Sequence, residues 1–266
     1  MNDDLNQKHT ATNRSLDKAF EILEFLARYG IPLSPPAISR KLNINKVTTY
    51  NLLRTMEYHQ YLQKSADGKY QLSSKLFELG MLFQSQNPAT RFFESCSYSL
   101  LKKYTMCNLS LGTFGNSMKG VYLSVLGTNE SFVTAGTPFP LHATALGKVL
   151  LAYASPEFQN KFFEQENLTR YSSHTITDKI LLKRQLQQIR HNGYCILPGD
   201  LFTDFYCISV PVFVSKQKFI AAISIRGSES FVKENKDVLL KDILDMGKHM
   251  STGMNYLPLF VSSEEI

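Results

Sequence analysis

Two short helical stretches separated by Asn43-Ile44-Asn45 constrain this chain more than any other feature. Over residues 46–56, Thr49, Leu52, Leu53 and Met56 recur at i, i+3, i+4 and i+7, the spacing that places them on one side of a helix. The other side carries Lys46, Val47, Thr48, Tyr50, Asn51 and Arg54, with no carboxylate. Upstream, Ser34-Pro35-Pro36 marks a helix start, because serine caps free amides and proline lacks only an amide that the first turn leaves unpaired. This predicts a helix over 35–42 with Ile38 and Leu42 inward, a turn over 43–45, and Asn45 as the cap of the second helix. Two helices joined in this way form a helix-turn-helix.

The outward set offers what base edges in a DNA major groove require: an amide for adenine, hydroxyls, an apolar contact for a thymine methyl, and cations for guanine or phosphate. A solvated surface helix offers a similar face, so the neighbouring residues decide. From Ser39 to Met56 there are four cations, Arg40, Lys41, Lys46 and Arg54, and no acid. Tyr61-Leu62-Gln63-Lys64 and Lys69-Tyr70-Gln71-Leu72 then flank Ser65-Ala66-Asp67-Gly68, a hairpin signal. Helices followed by this hairpin make a winged helix. Val47, Thr48, Tyr50 and Asn51 are expected to read bases. Arg40, Lys41, Lys46, Arg54, Lys64 and Lys69 are expected to hold phosphate, which adds affinity without sequence preference.

Elsewhere the pattern is coarser. Residues 1–13 carry no periodicity and are expected to form a disordered arm. Ser15 opens a first helix with a stripe of Leu16, Ala19, Phe20, Leu23 and Leu26, ended by Gly30. Residues 73–86 read as a helix with Leu76, Leu79 and Leu82 in register, Asn87-Pro88 breaks it, and a second amphipathic helix covers 91–104. Strands are predicted over 108–114, 119–125 and 131–135, helices over 143–152 and 179–192, and two strands over 208–213 and 221–226, joined as a hairpin through Lys216-Gln217-Lys218. A last helix covers 237–254. A length of 266 residues suits two domains, and 43% hydrophobic content is ordinary for a folded protein. There is no run of about eighteen apolar residues, and residues 1–14 have no apolar core, so neither a membrane span nor a secretory signal is expected and the cytoplasm is. Cys96, Cys107, Cys195 and Cys207 have no CxxC pairing and read as free thiols. The net charge of +6 suits a polyanionic partner.

An enzyme, or a metabolite-binding protein with an accessory winged helix, is the alternative. Against an enzyme, no GxSxG elbow, dinucleotide glycine fingerprint or HExxH occurs. Gly147-Lys148 is not a phosphate loop, because His142 and Val149 stand where glycine and Ser or Thr are needed. His142, His174 and Cys207 lack metal-ligand spacing, so structural histidines are expected, with no metal and no cofactor.

Ser15-Leu16-Asp17-Lys18-Ala19 with Ile22-Leu23, the helix-turn-helix, Leu52 to Glu57, Tyr61-Leu62, Asp67 to Leu72, and Leu76 to Gly80 resemble regulators of the isocitrate lyase regulator (IclR) type. Pro140 to Ala152 and Ser172 to Asp178 are similar to segments of that family's effector domain. The resemblance implies an α+β fold: a winged helix-turn-helix (14–72) joined by a linker helix (73–88) to a GAF-like effector domain (89–257), with an antiparallel sheet flanked by helices and a tail over 258–266. It implies a homodimer or dimer of dimers on a near-palindromic double-stranded DNA operator, released or recruited by a small effector, a carboxylate, sugar acid or aromatic acid. The pocket it implies comprises Ala145, Leu146, Asp200, Cys207, Ser224 and Arg226. The amides of Ala145 and Leu146 also suit an anion on physical grounds, since they start a helix. Alternation puts Ser224 and Arg226 on one strand face, where a guanidinium favours carboxylate or phosphate. An internal pair with Asp200 or Asp204 is the competing reading of Arg226. The pattern departs from the family at Leu197-Pro198-Gly199, which replaces most of an acidic run, and at Asp204, where glycine is common.

Overall fold

The computed structural model describes residues 13–127, 133–198, 205–214 and 218–255. The chain forms two units, residues 1–83 and 84–266.

In the first unit, α1 (Arg14–Tyr29), α2 (Pro35–Leu42) and α3 (Lys46–Tyr58) precede a hairpin of β1 (Leu62–Lys64) and β2 (Tyr70–Leu72) and the start of α4 (Lys75–Gln86). α1 begins before Ser15 because Asn13 Oδ1 accepts the Ser15 and Leu16 amides at 3.0 and 3.2 Å. Gly30, at φ 73°, ends it in the left-handed conformation. Ser34 stands at the start of α2, but its hydroxyl makes no cap bond, so Pro35 alone marks the start. Asn45 caps α3 as expected, accepting the Val47 amide at 2.8 Å. The turn between them is closed from inside, where the buried Ser39 hydroxyl donates to Ile44 O at 2.7 Å.

Ile22, Leu26, Ile38, Ile44, Leu53, Met56, Leu62 and Tyr70 make the core of this unit. The stripe expected on α1 is rotated. Leu16 and Phe20 are 52% and 54% exposed, and Ile22 is fully buried. At about 100° per residue, Phe20 lies roughly 160° around the helix from Ile22. With Ile22 and Leu26 fixing the inward line, Phe20 must face out.

The second unit opens with α5 (Pro88–Lys103). It starts three residues earlier than predicted, because Asn87 Oδ1 accepts the Ala89 amide (2.9 Å) and Pro88 takes the first helical position. The residues expected to break one helix also begin the next. The chain then runs through β3 (Asn108–Phe114), β4 (Lys119–Gly127), β5 (Pro138–Pro140), α6 (Ala145–Tyr153), α7 (Pro156–Gln165), α8 (Lys179–Asn192), β6 (Cys195–Pro198), β7 (Phe205–Val214), β8 (Lys218–Ser228), α9 (Glu229–Glu234) and α10 (Lys236–Asn255). The six strands form one antiparallel sheet in the order β5-β4-β3-β8-β7-β6. One face packs on α5, α9 and α10 through Phe93, Leu109, Ile223, Val232, Ile243 and Met250, among others. The other packs on α6, α7 and α8 through Phe139, Leu146, Phe162 and Leu186.

The strand predicted over 131–135 is not there: residues 133–135 are not extended in a strand, and 131–132 lie outside the described residues. The strand is Pro138–Pro140, on the β4 edge. Proline hid it, since proline depresses a strand reading yet is tolerated where one side of the strand has no ladder to complete. β6 at the opposite edge also ends in a proline, Pro198. The β7–β8 pairing is as expected, and residues 215–217 of its predicted turn lie outside the described residues, as do residues 1–12 of the predicted arm. Among the described residues no helix is long and apolar enough to cross a membrane. The four cysteines are free thiols.

α6 lies close to the chain that precedes it. A Cβ added at Gly147 would meet Leu141 O at 2.4 Å and Leu141 Cα at 2.5 Å, and backbone does not yield as a flexible side chain does. Gly147→Ala should therefore cost about 1–3 kcal/mol, read as a melting transition lowered by roughly 2–4 °C per kcal/mol. Gly80→Ala on α4, with nothing within 4 Å, should leave melting unchanged or raise it.

Candidate functional site

The outer face of α3 is open. Lys46, Val47, Tyr50, Asn51 and Arg54 are exposed and Thr48 is half-buried, while Thr49, Leu53 and Met56 anchor the opposite side. Arg40 and Lys41 are exposed at the end of α2. This face can enter a groove as a rigid body, because its inward residues belong to the core that fixes α1, α2 and the hairpin.

The hairpin is tied to the chain ahead of α2, where Leu33 and Tyr70 exchange backbone hydrogen bonds of 2.9 and 2.8 Å. Tyr70 donates its hydroxyl to Glu57 Oε2 at 3.0 Å, and burial followed by that carboxylate pushes its pKa up. Lys64 and Lys69 are both exposed, but they are not equivalent. Lys64 Nζ lies 5.6 Å from the centre of the Tyr70 ring. Lys69 Nζ is 2.6 Å from Asp67 Oδ2, and Ser65 donates to the same carboxylate at 2.5 Å. The Lys69 bond, with that of Ser65, holds the Asp67 carboxyl down at about 2. Lys69 thus carries its own counterion in a way the sequence reading did not anticipate.

The second site is built by cross-strand register. Leu197, Cys207, Arg226 and Asn108 are successive partners across β6, β7, β8 and β3. Two residues along, Cys195, Ser209, Ser224 and Ser110 form the next row on the same face. The intervening residues, Ile208, Ile225 and Leu109, are fully buried on the opposite face. The polar rows face the α6 side, where a cavity of about 50 Å³ is lined by Asn108, Ser110, Tyr122, Cys207, Ser224 and Arg226 together with Thr144, Ala145 and Leu146 at the start of α6. Thr144 caps α6, accepting the Gly147 amide at 2.9 Å. The other amides of the first turn, Ala145 and Leu146 among them, have no intrahelical partner, and both residues line the cavity.

Arg226 is held from two directions. Its guanidinium carbon is 4.9 Å from the centre of the Phe205 ring. With the Asn108 amide turned to satisfy both neighbours, Oδ1 accepts from Arg226 at 3.0 Å and the amide nitrogen donates to Cys107 O at 3.2 Å. Tyr122, at 8% exposure, packs its ring 4.5 Å from that of Phe139, tilted by 52°. Burial raises the pKa of its phenol, Cys207 raises it further and Arg226 opposes both, so the three groups act on one another within the cavity.

Ala145, Leu146, Cys207, Ser224 and Arg226 thus line one cavity; Asp200 and Asp204 lie outside the described residues. The sequence reading missed Asn108, Ser110, Tyr122 and Phe205. A signal for the first two was present, since Asn108-Leu109-Ser110-Leu111 alternates in phase with Ser224-Ile225-Arg226. His142 is buried and structural, its Nε2 2.9 Å from Thr169 O. Among the described residues no cluster of His, Cys, Asp or Glu could hold a metal.

Residues 15–66 match the IclR helix-turn-helix domain, and residues 125–252 match the bacterial transcriptional regulator IclR C-terminal domain. The chain is 26% identical over 248 residues to the HTH-type transcriptional regulator XynR of Escherichia coli K12, covering 91% of this chain and 98% of that protein. It is 29% identical over 247 residues to the HTH-type transcriptional regulator KdgR of Dickeya chrysanthemi, covering 91% and 80%. Its fold is similar to that of an IclR homologue from Microbacterium hydrocarbonoxydans complexed with 4-hydroxybenzoate, with a TM-score of 0.72, 21% identity, and coverage of 90% and 98%. With a winged helix-turn-helix in the first unit and the C-terminal domain's cavity in the second, the chain belongs to the IclR family of DNA-binding transcriptional regulators with an effector-binding domain.

Proposed function

We propose that residues 14–72 bind a near-palindromic operator, that residues 73–88 link, and that residues 89–257 hold a small anionic effector which changes operator affinity. The observation that carries the DNA reading is the exposed face of α3, which presents Lys46, Val47, Tyr50, Asn51 and Arg54 and no carboxylate. Val47, Thr48, Tyr50 and Asn51 read bases. Lys46, Arg54, Arg40, Lys41 and Lys64 meet phosphate, and Lys69 does so only in competition with Asp67. The protein works in the cytoplasm and catalyses no reaction.

Two copies would set two recognition helices in successive major grooves. Exposed apolar side chains support self-association: Leu16 and Phe20 on α1, and Phe77, Met81, Leu82 and Phe83 on α4, all more than 40% exposed. In the second unit, Arg226 and the amides of Ala145 and Leu146 give the cavity its preference for an acid. Asp200, carried over from the family pattern, completes the proposed pocket.

Binding of the purified protein to DNA from its own promoter region, followed by fluorescence anisotropy, tests the first half. Asn51→Ala should relax discrimination at one base position by about 1–3 kcal/mol, whereas Lys46→Ala should weaken all sequences alike. Equal effects from both would contradict the assignment. Asp67→Asn should release Lys69 to phosphate, tightening binding to any sequence and steepening the slope of log K against log salt by roughly 0.9. An unchanged slope would show that Lys69 does not reach DNA. Because Asp67 titrates at about 2, its charge and the pairing it supports should hold from pH 5 to 8, and the difference in slope between wild type and Asp67→Asn should not vary across that range.

A further inference from the structure

A hairpin of two three-residue strands does not hold its own angle, because β1 and β2 are too short to be stable in water without support. Leu62 and Tyr70 seat it in the core of the first unit, but apolar packing is non-directional and fixes depth rather than rotation. The directional contacts converge on Tyr70, which is 2% exposed. Its backbone exchanges two hydrogen bonds with Leu33, ahead of α2, and its hydroxyl donates to Glu57 Oε2 at 3.0 Å in the last turn of α3. Lys64 is its direct partner across the hairpin and places its ammonium 5.6 Å from the centre of its ring. Glu57 is also the one carboxylate of α3, so the acid that would face a polyanion beside the recognition residues is instead bonded within the fold. A phenylalanine would fill the same space in the core; the hydroxyl adds the tie to α3.

We propose that Tyr70 is a positioning residue for DNA binding: through Glu57 and Lys64 it brings the wing and α3 to the duplex as one body, with Lys64 on the phosphate backbone at a set distance from the bases that Asn51 meets. This rests on the reading of the wing as a phosphate contact and names what places it. A lysine on a hairpin free to swing must be ordered together with the strand pair when it meets phosphate, whereas one set beforehand loses less freedom on binding. The bond that sets it is charge-assisted and so stronger than one between neutral groups. Its loss should weaken the Lys64 contact and leave Asn51 in place, since Thr49, Leu53 and Met56 anchor α3 on the opposite side.

The test measures binding of the full chain to DNA from its own promoter region, and to a panel of single-base variants of that DNA, across a range of salt. Lys64→Gln should weaken binding and lower the slope of log K against log salt by about 0.9. Tyr70→Phe should weaken every sequence by roughly three- to tenfold, lower the slope toward that of Lys64→Gln and keep the base discrimination. Together the two substitutions should cost no more than Lys64→Gln alone, as residues acting through one contact do. Glu57→Gln, which keeps an acceptor for the phenol, should bind as wild type does or more tightly. Glu57→Ala, which leaves the Tyr70 ring in the core, should behave as Tyr70→Phe, and it takes that variant's place should Tyr70→Phe melt below assay temperature. If the slope of Tyr70→Phe is that of wild type, or its loss adds in full to that of Lys64→Gln, the positioning role is overturned and the phosphate reading of Lys64 stands. If base discrimination falls along with affinity, the hydroxyl only holds the unit together, and the inference is again overturned. If Lys64→Gln leaves the slope unchanged, both fall.

Discussion

A sheet covered by helices on both sides has no solvent face, so each residue that the pleat turns either way must find its place in an interior. On β3, β7 and β8 one set, Leu109, Leu111, Ile208, Val210, Ile223 and Ile225, meets that demand by apolar packing against α5 and α10. The other set, Asn108, Ser110, Cys207, Ser209, Ser224 and Arg226, is polar and lies beneath α6. Polar groups in such a layer must bond to one another, to backbone, or to something that enters. Ser209 takes the second route and Asn108 with Arg226 the first. Around Ser110 and Ser224 a gap is left where packed side chains would otherwise be, and so the cavity follows from the alternation. Gly112 and Gly120 refine it. A Cβ at either would come within 3.0 or 2.1 Å of the Phe139 ring, so their bareness lets that ring lie on the sheet and set Tyr122 beside it.

The DNA-binding unit depends on the same logic in a smaller core. Ile22, Leu26, Ile38, Ile44, Leu53 and Met56 bring α1, α2 and α3 together, and Tyr70 closes the hairpin onto them. α4 contrasts with these helices, having no buried residue of its own. Helical segments of a dozen residues are marginal in water unless packing supports them, so α4 has little stability of its own. An effector alters operator affinity only if it prefers one arrangement of the assembly over another.

Most of the first unit is legible in the sequence because its signals are local. The Ser34-Pro35-Pro36 start, the Asn45 cap and the Asp67-Gly68 turn each depend on residues within a few positions, and α2 falls on 35–42 as read. The rotation of α1 was not legible, because Leu16, Phe20, Ile22 and Leu26 are all apolar and only the neighbours choose among them. In the second unit, α8 and β3 match the reading at both ends, whereas β5 and α7 did not announce themselves. Pro138 and Pro140 argue against a strand until its edge position is known. The cavity was half legible. Ala145, Leu146, Cys207, Ser224 and Arg226 came from family resemblance, but Asn108, Ser110 and Tyr122 required knowing which strands are neighbours and that both faces are covered.

The two proposed binding surfaces also hold their cations in different ways. On the wing, Asp67 already answers Lys69, so part of what phosphate would gain from that lysine has to be exchanged for an existing ion pair. In the cavity, the Arg226 guanidinium is held by the Phe205 ring and the Asn108 amide. A guanidinium oriented before the ligand arrives loses little rotamer freedom on binding it. On the proposed reading, selectivity would be concentrated where the groups are pre-set, in the outer face of α3 and around Arg226, while the wing would adjust overall affinity and its dependence on salt.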